Sequence, residues 1–124
     1  MKKIVLSLML LLFCINYAEA QTTSIHLILK GTQSGPKTPN HGNDLVILSA
    51  EYDSSDLYFS ISGYTGEVDL FVTNSQNTSM DSDILNVVAS ASTSFDISAY
   101  PAGTYHLYIY LDDGSIYEGE FEIE

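Results

Sequence analysis

From Tyr105 to Ile123 the side chains alternate with a period of two, interrupted once by Asp112-Asp113-Gly114. Tyr105, Leu107, Ile109 and Leu111 fall on one face. Tyr117, Gly119, Phe121 and Ile123 fall on one face of the run that follows. Period two is the repeat of a half-buried strand, and a short polar turn between two such runs makes a β-hairpin. For the two faces to coincide, paired residue numbers must sum to an even value. A three-residue turn with Gly114 in the left-handed position satisfies this. The register then sets Tyr108 opposite Glu118 and His106 opposite Glu120, with His106, Tyr108 and Tyr110 pointing outward beside Glu118, Glu120 and Glu122.

The remaining chain repeats the pattern without sustained helical periodicity. Thr22 to Lys30 is expected as one strand with Ile25, Leu27 and Leu29 on one face, and Gly31 to Asp44 as a loop. Leu45 to Tyr52, Leu57 to Ser62 and Glu67 to Thr73 follow as strands, with Phe71 on the outer face of the last. Asn74 to Asp83 reads as a polar loop, Ile84 to Val88 as a short edge strand, and Ser94 to Ile97 as another strand. Seven or eight short strands with turn residues between them predict an all-β fold, an antiparallel β-sandwich of the immunoglobulin or fibronectin type III kind. Tyr100-Pro101-Ala102-Gly103-Thr104-Tyr105 supports it. Here Tyr105 is a structural residue: its ring folds over a corner and its hydroxyl bonds backbone a few residues upstream. In an immunoglobulin-like strand order, Tyr58 joins His106, Tyr108 and Tyr110 on one outer face.

Residues 1–20 stand apart. Lys2 and Lys3 precede an apolar run from Ile4 to Ile15, and Ala18-Glu19-Ala20 supplies the small residues of a cleavage site. This is a secretory signal peptide, too short to span a membrane. Cys14 lies inside the apolar run behind Phe13, which is not a lipobox. The domain is then 21–124, exported to the periplasm or beyond, with no membrane insertion after cleavage. It has no cysteine, so core packing alone must hold it. It keeps two lysines, no arginine and 15 acidic residues, a net charge of −13. That charge repels phosphate backbones and anionic lipid, so nucleic acid is not an expected partner.

No catalytic set can be read. Cysteine chemistry is excluded, no Gly-x-Ser-x-Gly stretch accompanies the three histidines, and no His or Cys spacing suits zinc. Asp53 with Asp56, Asp81 with Asp83, and Asp112 with Asp113 offer hard oxygens without a recognisable calcium cage. The chain is expected to be no enzyme and to need no cofactor or metal. The candidate contact surface is the tyrosine stripe of Tyr58, His106, Tyr108 and Tyr110, or else the end loops, taking an unknown protein or glycan. The alternative is a small secreted protease inhibitor presenting the Gly31–Asp44 loop or a strand edge.

Asp96-Ile97-Ser98, then Pro101-Ala102-Gly103-Thr104-Tyr105, then Tyr117-Glu118-Gly119-Glu120-Phe121-Glu122-Ile123, behind a signal peptide, resembles a family of small exported immunoglobulin-like proteins of Bacteroides-group gut bacteria, a domain-of-unknown-function family. The resemblance implies a β-sandwich and an exported location, and no activity. Expressed with its leader in an exporting bacterium, the mature chain should begin at Gln21 by intact-mass measurement. A product retaining Met1 to Ala20 contradicts the reading.

Overall fold

A computed structural model describes residues 21–32 and 45–124; the leader with its cleavage site and most of the Gly31–Asp44 loop lie outside the described residues. Among the described residues, nine strands form two antiparallel sheets. The four-stranded sheet has the order β1 (Thr23–Ile25), β3 (Ile47–Tyr52), β4 (Asp56–Ser62), β7 (Ser90–Asp96). The five-stranded sheet has the order β2 (Leu27–Thr32), β9 (Ser115–Ile123), β8 (Gly103–Leu111), β5 (Gly66–Asn74), β6 (Ser79–Val87). The alternating residues meet between the layers: Leu57, Phe59 and Ile61 from β4, Val68, Leu70 and Val72 from β5, and Leu107, Ile109 and Leu111 from β8 are buried. Each such side chain contributes about 1.5–3 kcal/mol by leaving water.

The corner forms as expected. The Tyr105 hydroxyl donates to the Pro101 carbonyl at 2.5 Å, and Gly103 takes φ +153° in the approach to β8. The Tyr105 ring lies between Phe121, with centroids 5.6 Å apart, and Tyr100 at 5.2 Å. The hairpin register also holds, with Tyr108 paired to Glu118 and His106 to Glu120. Gly114 sits at φ +96° and donates its N–H to the Leu111 carbonyl at 3.0 Å.

Three strand expectations are corrected. The first strand divides at His26: Ser24 pairs with Glu51 in one sheet, whereas Ile28 pairs with Glu118 in the other. The chain thus changes layers at its start. Ile25 is buried, Leu27 is half-buried and Leu29 stays 52% exposed. Gly31 and Thr32 extend β2 rather than open the loop. The polar stretch Asn74 to Asp83 is mostly strand, because Asn74 ends β5, β6 runs from Ser79 and only Ser75 to Thr78 turns. Among the described strands β6 pairs with β5 alone, so it lies at an edge, where inward charges are tolerated and discourage further pairing. Asp81 and Asp83 accept the hydroxyls of Tyr100 at 3.3 Å and Thr93 at 2.9 Å. Strand β4 stays beside β3 instead of crossing to the sheet of β8. The Asp53 Oδ1 atom accepts the N–H groups of Ser55 and Asp56 at 2.9 and 2.8 Å, which closes a tight hairpin and keeps the two strands in one layer.

The crossing comes one turn later. Gly63, at φ +73°, lets β4 leave its sheet, and the buried Tyr64 follows. The Tyr64 hydroxyl donates to Asp112 Oδ1 and accepts the Asp113 N–H at 3.3 Å. Asp112 Oδ2 takes the Glu67 N–H at 3.0 Å. The hairpin tip is thereby tied to the crossing. Burial, and then the bond to Asp112, hold the Tyr64 phenol well above its ordinary value of 10.0.

Two outcomes follow from these ties. Tyr105→Phe should lower stability by about 1 kcal/mol in urea titration, with an unchanged denaturant slope; no change would show the corner bond to be dispensable. The native state keeps the Tyr64 proton where the unfolded chain gives it up, so stability should fall as pH rises past 10.0. Tyr64→Phe should make that alkaline decline shallower. An identical decline in the variant contradicts the assignment.

Candidate functional site

Strand pairing brings outward side chains of the five-stranded sheet into rows, since residues directly opposite share a face. One row runs Ile28, Glu118, Tyr108, Phe71, Ser82. A second runs Ile116, Tyr110, Asp69, Ile84. A third holds Glu120, His106 and Thr73. His106, Tyr108 and Tyr110 therefore share the face expected of them. Phe71, noted in the sequence as facing outward, meets Tyr110 edge-on, with centroids 5.6 Å apart and planes at 85°. The His106 and Tyr108 rings stack at 6.1 Å. Four apolar or aromatic side chains here stay open to solvent: Ile28 at 52%, Phe71 at 37%, Ile84 at 60% and Tyr110 at 38%.

The electrostatic centre is Glu118. Lys30 Nζ lies 3.1 Å from its Oε2 and His106 Nδ1 3.2 Å from its Oε1. The register sets His106 against Glu120, yet its ring nitrogen contacts the diagonal neighbour, Glu118. Partial burial would raise the Glu118 carboxyl, but the bond and charge of Lys30, with Tyr108 and His106 adding to them, hold it below the usual glutamate value. Burial, then the Glu118 charge, push the Tyr108 phenol up. Beside this centre a shallow concavity of about 370 Å³ is lined by His26, Ile28, Lys30, Glu118 and Glu120. On the same face, Asp69 Oδ1 and Thr73 Oγ1 are shielded from solvent without a hydrogen bond among the described residues, and the contact of His106 Nδ1 is the carboxylate one.

Tyr58 is elsewhere. It sits on β4 between Glu51 and Ser94, on the outer face of the opposite sheet. Its hydroxyl lies 3.4 Å from Asp56 Oδ2 and 3.5 Å from Asp53 Oδ2. Its surroundings are hydroxyl-rich, with Ser49, Ser60 and Ser92 in the next row. The expectation of a single face holding all four residues is overturned by the β3–β4 hairpin. The acidic loop pairs serve the fold: Asp53 caps its turn, Asp112 clamps the crossing, and Asp81 and Asp83 take hydroxyls from across the sandwich. Among the described residues, no three His, Cys, Asp or Glu side chains are placed to hold a metal. Lys30, Asp69, Thr73 and Ile84 were not singled out for this face from the sequence. Asp69 and Thr73 share the parity of Phe71, which was the available signal.

No protein-family model and no curated protein matches the sequence. Among solved structures, the chain is similar to a DUF3244 family protein from Bacteroides vulgatus. The TM-score is 0.61 and the identity 16%, over 84% of this chain and 100% of that one. That protein is described as having an immunoglobulin-like β-sandwich fold. It is of the kind the closing hairpin resembles, and no catalytic family is indicated. A hypothetical protein from Pyrococcus horikoshii aligns over 78% of this chain and 96% of its own, at 14% identity and a TM-score of 0.38, too low to bear on the fold. The chain has the immunoglobulin-like β-sandwich fold.

Proposed function

We propose that this chain is an exported, non-catalytic binding module that engages a protein or glycan partner through the outer face of its five-stranded sheet. The observation that carries the reading is the exposure of Tyr110, Phe71 and Ile84 on three adjacent strands, and of Ile28 on the edge strand beyond β9, on one otherwise acidic face. A half-solvated sheet needs no aromatic or branched residues outside, and their clustering within a polar surround is the anatomy of a contact patch. Tyr108 and Tyr110 add broad, stiff contact area at low entropic cost. The basic start, apolar run and Ala18-Glu19-Ala20 of the leader support delivery to the periplasm or exterior. The acidic charge disfavours nucleic acid and anionic lipid as partners. His106 supports binding over catalysis, because it stands on an open sheet already engaged with Glu118.

The test is paired glycan and peptide arrays probed with the purified mature chain. Any ligand held by the wild type should lose roughly tenfold in affinity with Tyr108→Ser and Tyr110→Ser combined, and little with Tyr58→Ser. Undiminished binding by the double variant, or loss on changing Tyr58 alone, contradicts the assignment of this face.

A further inference from the structure

We infer that the partner of this face is a protein segment carrying arginine or lysine between apolar side chains. This rests on the binding role proposed above and supplies the chemistry of the partner. Glu67, Asp69, Glu118 and Glu120 all lie on the outward parity of β5 and β9, and the described Lys30 and His106 side chains beside them both contact Glu118. Glu120 has no ion-pair partner among the described residues, although it lines the concavity beside Ile28. His26 and Lys30 also line it, with the Lys30 charge taken up by Glu118, so a side chain seated there meets Ile28 along its length and the Glu120 carboxylate at its end. A long cationic side chain has that form, with an apolar stem and a charged tip.

Asp69 adds its charge to the row of Tyr110 and Ile84, so the acidic groups run beside the aromatic and aliphatic side chains of this face. The ring geometry suits a cation or an apolar side chain better than a sugar. A pyranose stacks on an open, flat ring face, whereas Phe71 stands edge-on against Tyr110 and the His106 ring stacks on Tyr108. A guanidinium can approach the remaining ring surface while pairing with a carboxylate.

The experiment is calorimetry on the mature chain with three probes: a capped peptide of three Arg-Leu-Ser repeats, the same peptide with Glu for Arg, and cellohexaose. Glu120 is exposed and bonds no described side chain, so Glu120→Gln keeps the fold. It should weaken the arginine peptide about tenfold, and salt raised from about 50 to about 300 mM should weaken wild-type binding further. Glu51→Gln removes the same charge from the opposite sheet and should cost less than about twofold. Equal losses in the two variants would reduce the effect to net charge and overturn the inference, as would no binding of the arginine peptide. Cellohexaose held by the wild type, lost on Tyr108→Ser with Tyr110→Ser, and indifferent to Glu120→Gln would overturn the cationic partner and leave the binding face standing. Peptide binding untouched by the tyrosine changes would remove the face itself.

Discussion

The bond from the Tyr105 hydroxyl to the Pro101 carbonyl sets the start of β8, and the rest of the molecule depends on where β8 lies. This strand is at the centre of the five-stranded sheet, between β9 and β5. Tyr105 is buried and stacked on Phe121, which turns the odd-numbered residues of β8 inward. Alternation leaves the even-numbered ones no choice but the outer face. A side chain committed to the core near one end of a strand thus determines what the protein shows to solvent at Tyr110, near the other end.

The other end of β8 is held by different chemistry. Tyr64 and Asp112 join the hairpin tip to the β4–β5 crossing: the Tyr64 hydroxyl and the Glu67 N–H donate to the Asp112 carboxylate, and the Asp112 N–H donates to the Glu67 carbonyl. A second tie, across the open rim, comes from Thr93 to Asp83 and from Tyr100 to Asp81. None of these bonds replaces the apolar core, but each orients an element that the core alone leaves free to slide. The contact face consequently sits on paired strands rather than on loops, which suits a recognition surface that must keep its shape.

Much of this was legible in the residues, and the limits are instructive. The faces of β4, β5 and β8, the corner and the hairpin register all follow from local parity and turn chemistry. Which sheet a strand joins does not. Tyr58 lies in a clean alternating run, and the parity correctly turns it outward; the Asp53 turn decides that outward means the opposite layer. The break at His26 carries no turn residue at all, since the chain steps between sheets within an unbroken run of strand formers. Only the second half of β6 is legible, as the edge strand from Ile84, because its opening with inward aspartates has the composition of a loop. The concavity beside Glu120 needed β2 and β9 to be neighbours, a pairing between residues about ninety positions apart in sequence.

What emerges is a sandwich with two unlike outer faces. One is serine-rich around Tyr58. The other sets aromatic and aliphatic side chains among carboxylates, with Lys30 and His106 gathered on Glu118. The functional account stands on that partition, and backbone NOEs from Tyr58 test it most directly. The account requires contacts to Glu51 and Ser94, its cross-strand partners, and none to residues 107–109. Cross-strand contacts from Tyr58 to Leu107, Tyr108 or Ile109 would place all the tyrosines in one sheet and contradict it.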